Sequence, residues 1–173
     1  MTIWRVIPDA DEPRRGQLVG PLFDEACALG KNGVIAAEDG AEGDGKTPLG
    51  TYSVRRVFYR PDREEPPITG LHTSPLSADM GWCDAPESPH YNRQIKLPCG
   101  ESHEKLWRED ALYDLILVLG HNDTPVVSGL GSAIFVHVAK EGFLPTLGCV
   151  ALELRALRRF LRALKPDDQL KIG

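Results

Sequence analysis

Long hydrophobic runs, cysteine and an excess of one charge are all scarce in this chain, and each scarcity excludes something. The longest strongly apolar run is Leu115-Ile-Leu-Val-Leu119, far short of the roughly 18 residues a bilayer-crossing helix needs, so no membrane span is expected. Four cysteines in 173 residues, at 27, 83, 99 and 149, are too sparse for the disulfide scaffold of a small secreted domain. A single bridge, Cys83 to Cys99 for instance, stays open. Lys and Arg total 20 against 25 Asp and Glu, a net charge of −5 with no long run of either sign. That balance argues against a partner held mainly by charge, whether nucleic acid or anionic lipid. The amino terminus, Met1-Thr-Ile-Trp-Arg-Val-Ile-Pro8, lacks the basic start and apolar stretch of about 7–15 residues that mark a signal peptide. A cytoplasmic address, another export route, or a trimmed or mis-started chain all fit that absence.

What is present is globular. Hydrophobic residues make up 42% and charged residues 26%, near the norm for a folded domain. The length fits one domain, residues 1–173, able to bury roughly 70% of its unfolded surface without metal or disulfide support. Fourteen prolines and 17 glycines are spread along the chain and separate short alternating or apolar runs, the signature of strands. Strands are expected near Trp4–Ile7, Gln17–Val19, Ala26–Leu29, Val34–Ala37, Tyr52–Tyr59, Ile95–Leu97, Leu115–Leu119, Ile134–Val138 and Leu170–Ile172. One amphipathic helix is expected between Leu152 and Leu164, where Leu154, Leu157, Leu161 and Leu164 recur at helical spacing and Pro166 comes soon after. A shorter helix is expected around Ser102–Trp107. Residues 60–100 hold seven prolines together with Trp82, Tyr91, Cys83 and Cys99 and read as a long irregular loop. Such a segment is either a lid or binding wall, or an ordered excursion over a sheet face. The fold class is therefore mainly β.

Gly40-Ala-Glu-Gly-Asp-Gly-Lys-Thr47 satisfies the phosphate-loop pattern, and the strand Val34–Ala37 precedes it. The residues after and within it do not fit that use. Pro48 disfavours the α conformation at Thr47, Gly50 weakens a helix further, and Glu42 and Asp44 would put negative charge inside a phosphate cradle. A tight turn between strands is the better reading.

The sharper constellation is Gly131-Ser-Ala-Ile-Phe-Val-His137, then Pro145-Thr-Leu-Gly-Cys149-Val. A strand ends in histidine, and a cysteine arrives on a glycine-preceded turn. A thiolate is a strong nucleophile once its proton has somewhere to go, and imidazole is the usual shuttle. Gly148 permits a tight turn that presents main-chain N–H groups to a developing oxyanion. A helix starting just after Cys149 would add its dipole. Against this, an isolated cysteine is commonly a small buried hydrophobe, and an isolated histidine a structural residue.

These residues resemble a known family. Ile-Phe-Val-His137 with Thr146-x-Gly148-Cys149-Val150 after it is similar to the catalytic signature of the L,D-transpeptidase (YkuD-type) catalytic domain, in which a strand histidine precedes Ser/Thr-His-Gly-Cys. Gly45-Lys-Thr-Pro-Leu-Gly-Thr-Tyr52 resembles the family's Thr-Pro-x-Gly-x-aromatic element. Trp82-Cys-Asp84, Tyr91-Asn92 and Gly131-Ser-Ala-Ile-Phe135 resemble a divergent bacterial branch. The likeness spans Ala26 to Ile172.

The resemblance implies a β-sandwich or bent sheet that needs no metal or cofactor. It also implies a cysteine acyl-enzyme acting on peptidoglycan stem peptides or muropeptides. By position Cys149 is the nucleophile, His137 the general base, and Gly148 with Cys149 supply oxyanion donors. Thr146, His121, Tyr91, Asn92, Trp82, Asp84 and Ser132 are the expected substrate-binding residues. Trp82 and Tyr91 also fit a purely structural role, pinning the long loop to the core. The product would be a cross-link at the bond after diaminopimelate (3–3) or after the first alanine (1–3). Hydrolysis by water on the same scaffold, or a non-catalytic cell-wall-binding domain, are the alternatives. Covalent inhibition by carbapenems and a periplasmic or cell-envelope address are further implications of the family. Leu147 stands where the signature has histidine, Ala151 where a polar residue is common, and the His137-to-Thr146 segment is short. Cys83, His90, Cys99 and His103 match no structural zinc spacing.

Overall fold

A computed structural model describes residues 1–173. The elements in order are β1 (Ile3–Pro8), β2 (Arg15–Gly20), β3 (Phe23–Ala28), β4 (Val34–Ala36), β5 (Thr47–Tyr59), β6 (His72–Pro75) and β7 (Met80–Cys83). They continue with β8 (Gln94–Lys96), β9 (His103–Lys105), β10 (Leu115–Leu119), β11 (Phe135–Val138), β12 (Val150–Leu152), α1 (Leu154–Ala163) and β13 (Gln169–Ile172). The main sheet runs β10-β11-β12-β3-β2-β1-β13-β5-β4, with β6 on the side of β5. Because β10 also pairs antiparallel with β5, Leu115 opposite Tyr59 and Leu117 opposite Val57, the strands from β5 round to β10 close into a ring. The architecture is mainly β with one helix near the carboxyl end, and the bent sheet is bent far enough to meet itself.

Period-two alternation gives the ring an inner and an outer face. Inside lies a cluster of 24 buried residues, to which every ring strand contributes. Val6, Leu18, Cys27, Val54, Leu115, Leu117, Val136, Val150, Leu152 and Leu170 meet Leu157, Phe160 and Leu161 of α1 there. Trp4 packs edge-on against Phe160 at 4.9 Å and Phe23 at 5.8 Å. The carboxylate of Glu153 caps α1 by accepting from the Arg155 and Ala156 amides at 2.9 and 3.2 Å. The buried Asp168 accepts from the Thr2 amide at 2.7 Å and Trp4 Nε1 at 3.3 Å, tying β1 to the chain just before β13.

Outside β5, β10 and β11 lies a second cluster of ten: Phe58, Leu76, Trp82, Leu106, Tyr113, Ile116, Val118, Ala133, Phe135 and Cys149. Much of its cover is the segment expected to be an irregular loop. That segment contains β6 and, with the residues after it, a three-stranded sheet ordered β8-β7-β9. It is thus an ordered excursion over the sheet face, and it also furnishes part of the cavity wall described below.

Two helix expectations are corrected. Ser102–Trp107 holds β9, antiparallel to β7 with Cys83 opposite His103; a single isolated helical turn has too little internal bonding to compete with that ladder. After Cys149 comes β12 rather than a helix start, parallel to β11 with His137 opposite Ala151. Helix α1 waits for the Glu153 cap, so its dipole does not reach the thiol. The phosphate-loop segment is the expected turn: Asp44 accepts from the Lys46 amide at 2.8 Å and the Ala41 amide at 3.0 Å, and β5 runs on from Thr47 through Pro48. All four cysteines are free thiols. Cys83, His90, Cys99 and His103 do not converge, and no group of three or more His, Cys, Asp or Glu side chains is placed to hold a metal ion.

Candidate active site

The alternation that sends Val136, Val138, Val150 and Leu152 inward sends Phe135, His137, Cys149 and Ala151 to the outer face. His137 stands opposite Ala151. Cys149, two residues earlier on that strand line, is therefore level with Phe135, whose amide N–H donates to Cys149 Sγ at 3.4 Å. The thiol itself donates to the Ala133 carbonyl at 3.2 Å. Cys149 is 8% exposed and His137 4%, and both line one cavity of about 540 Å³.

The loop before Cys149 is held from two sides. Thr146 Oγ1 donates to the Cys149 carbonyl at 2.7 Å and accepts from the Gly148 amide at 3.1 Å. The backbone of Thr146 exchanges hydrogen bonds with Leu29 and Lys31, each at 2.8 Å. Gly148 is required twice over. Its φ is +140°, and a Cβ there would lie 2.8 Å from the Lys46 carbonyl oxygen, a backbone atom of the 40–47 turn. Of the two amides expected to face an oxyanion, Gly148 N–H is engaged by Thr146, whereas the Cys149 N–H has no hydrogen bond within the chain.

Burial sets the protonation states. It pushes the Cys149 thiol up to about 12, with the Glu104 carboxylate adding to the rise. Burial also pulls the His137 imidazole down to about 4. At neutral pH the pair therefore rests as thiol and neutral imidazole, not as an ion pair. His137 Nδ1 lies 2.9 Å from the Val138 carbonyl. A carbonyl only accepts, so Nδ1 carries the proton and Nε2 is left as the basic nitrogen. The ring stacks edge-on against Tyr113 at 5.3 Å.

The other expected residues divide into two groups. Thr146, His121, Asp84 and Ser132 line the cavity with Cys149 and His137. His121, 5% exposed, has neither ring nitrogen hydrogen-bonded, and Ser132 Oγ is likewise buried without a partner. His121 packs edge-on against Tyr52 at 5.5 Å, and burial lowers its pKa. Trp82, Tyr91 and Asn92, by contrast, are buried behind the wall, and their polar groups bond to the protein itself. Asn92 Oδ1 accepts from Trp82 Nε1 at 2.9 Å and the Ala133 amide at 3.1 Å. Its Nδ2 donates to the His121 and Asn122 carbonyls at 3.0 and 2.8 Å. Tyr91 Oη accepts from the Gly131 amide at 2.9 Å and donates to Glu42. These contacts fix the 131–133 stretch whose Ala133 carbonyl holds the thiol.

Leu147, where the signature has histidine, is 77% exposed and lines the cavity beside Leu144 and Pro145. Sequence reasoning missed Glu104, Arg108 and Tyr113, which line the cavity too. Glu104 is carried there by β9, the strand expected to be a helix. Tyr113 lies two residues before β10 but is marked by no local pattern.

No curated protein matches the chain. Among solved structures, Mycobacterium tuberculosis L,D-transpeptidase 1 is similar at 10% identity with a TM-score of 0.43; the match covers 99% of this chain and 62% of that one. The model of the L,D-transpeptidase catalytic domain (YkuD) matches residues 12–172, nearly the whole chain, and the protein belongs to this family, whose members act on peptidoglycan peptides.

Proposed function

We propose that the protein is a cysteine acyltransferase that cross-links peptidoglycan stem peptides, with Cys149 as nucleophile and His137 as general base. The observation that carries this reading is that Cys149 and a tautomer-fixed His137 line a single cavity, with the Cys149 amide unengaged within the chain. A donor peptide enters with the carbonyl of an L-configured residue against Cys149 Sγ. The thiol proton passes to His137 Nε2 as the S–C bond forms, and the Val138 carbonyl stabilises the resulting imidazolium through Nδ1–H. The Cys149 amide faces the oxyanion; such a donor is typically worth about 10²–10³ in rate. The C–N bond to the next, D-configured residue breaks, the imidazolium returns its proton to the leaving amine, and a thioester remains. An acceptor amine then attacks the thioester, giving the new amide and restoring the thiol.

Starting from a neutral pair gives the site a definite order. The thiol gives up its proton only when a carbonyl is present to receive the sulfur, so the resting enzyme is protected from oxidation and unspecific alkylation. His121 and Ser132, without partners inside the protein, offer the donor peptide hydrogen bonds, and Asp84 and Thr146 line the same cavity. Carbapenems, strained acyl donors, acylate Cys149 in the same way. With peptidoglycan as substrate, the work is done in the cell envelope.

The test is incubation with defined tetrapeptide muropeptides, with Cys149→Ala as control, and mass spectrometry of the products. Dimers with loss of terminal D-alanine identify 3–3 linkage. Dimers whose donor ends at its first alanine identify 1–3 linkage. Trimmed monomers alone make the protein a hydrolase, and unchanged turnover by Cys149→Ala overturns the mechanism.

A further inference from the structure

Along the β11 strand line the register orders the lining of the cavity around Cys149, and Glu104 is tied to the His137 end of that line by Tyr113, whose hydroxyl donates to its carboxylate and whose ring packs edge-on against His137 at 5.3 Å. Ala133 and Phe135 flank the sulfur through their hydrogen bonds to it, the Gly131–Ser132 stretch precedes them, and His137 with Tyr113 lies beyond. A two-substrate transfer needs two such ends. The end containing the base is where a second reactant meets the thioester.

Glu104 is unusual at that end. Its only side-chain hydrogen bond is the one Tyr113 Oη donates to Oε1, and it is in no salt bridge. The guanidinium beside it is already engaged: Arg108 binds Asp110 bidentately at 2.8 and 2.7 Å and stacks over the Tyr113 ring at 5.3 Å. Lys46 and Lys140 line the same cavity without pairing with it. The wall beside the nucleophile thus carries a half-buried carboxylate with one oxygen unclaimed and no cation to neutralise it. Burial raises its pKa, as expected for a charge without a counter-ion.

We propose that Glu104 is the acceptor-side catalytic residue: its carboxylate binds the incoming amine as an ammonium and removes its proton. The inference rests on the acyl-enzyme reading above and adds the acceptor step to it. A primary alkyl amine with a pKa near 10 arrives protonated at neutral pH and cannot attack until it loses that proton. Glu104 takes one proton, and the amine nitrogen bonds to the thioester carbon. The C–S bond breaks, one further proton from nitrogen goes through His137 to the Cys149 sulfur, and Glu104 releases its proton to solvent. Water needs no ammonium site, so hydrolysis of the thioester depends much less on Glu104. Tyr113 positions the carboxylate through its hydroxyl.

Glu104→Gln keeps the size and the Tyr113 contact while removing the charge. With diaminopimelate-containing tetrapeptide as both donor and acceptor, the expected result is an acyl-enzyme, seen by intact mass, forming within about threefold of the parent rate. The ratio of dimer to hydrolysed monomer is expected to fall at least tenfold, and raising the peptide concentration restores it only partly. An unchanged ratio overturns the proposal. So does loss of the acyl-enzyme itself in a variant whose melting temperature is intact, because Glu104 would then act on the donor. Should Glu104→Gln fail to fold, Tyr113→Phe takes its place with an expected fall in the ratio of about threefold, and no fall overturns the proposal. A parent protein that forms no acyl-enzyme removes the underlying mechanism instead, an outcome plainly distinct from either.

Discussion

The two faces of β10, β11 and β12 are built for different ends. Inward, Leu115, Leu117, Val136, Val138, Val150 and Leu152 are apolar and close on α1, and the only chemistry is burial. Outward, the same strands carry His137 and lead into Cys149, against a wall that holds Tyr113 and Glu104. One face hides apolar atoms from water. The other buries titratable groups, shifts them toward their neutral forms, and leaves His121 and Ser132 without partners. Rigidity supplied by the inner face is what lets the outer face keep such groups in place. Stability and reactivity should therefore separate by face, and single substitutions test how cleanly they do.

The largest effect is expected from Cys149→Ala, which removes acyl transfer to background, at least about 10³-fold, while thermal unfolding moves little. Steady-state turnover and a melting curve on one sample check both halves. Second is Phe160→Ala on α1. Deleting a fully buried ring costs about 3–5 kcal/mol, read by denaturant unfolding, whereas the acylation rate per folded molecule stays near that of the parent. Third is Gly148→Ala. The new Cβ meets the Lys46 carbonyl at 2.8 Å in a conformation that L side chains rarely adopt, so the loop shifts and acylation slows about 10²-fold. Stopped-flow acylation kinetics measure it.

The smallest effect probes the contrast through pH. His137 falls from an ordinary 6.5 to about 4 in the folded protein because burial disfavours its charge. Between those values the unfolded chain holds a proton that the folded chain does not. The stabilising contribution is thus fully present above about pH 6.5 and is lost as pH falls toward 4, by about 2 kcal/mol between pH 7.5 and 5. His121 shifts in the same direction. Denaturant midpoints across that range should decline, and His137→Gln should flatten the decline.

The inner face is the legible one. Leu115–Leu119 is a strand with the ends its apolar run suggests, and the leucine spacing of α1 marks its buried stripe. The thiol and imidazole are legible because their chemistry is rare and their spacing short. The features that sequence leaves hidden are decided by partners distant along the chain. β9 is a strand only because β7 lies beside it. Val150–Leu152 continues as a strand because β11 and β3 flank it. Asn92, expected to contact substrate, spends its four hydrogen bonds holding the site's own loop, and three of them reach residues some thirty to forty positions away. Glu104 and Tyr113 reach Cys149 only through the tertiary fold, so no local pattern announces them. The family match from residue 12 begins earlier than the motifs that carry the resemblance, because β2 and β3 belong to the ring without bearing any catalytic residue.

The most direct test of the outer-face account is intact-mass spectrometry of the protein quenched during turnover of a tetrapeptide stem, with mapping of the modified peptide afterwards. A thioester adduct is predicted on Cys149 alone, equal to the donor minus its departing D-residue, and absent from Cys149→Ala. Turnover without any adduct, or an adduct on Cys83 or Cys99 instead, would contradict the account.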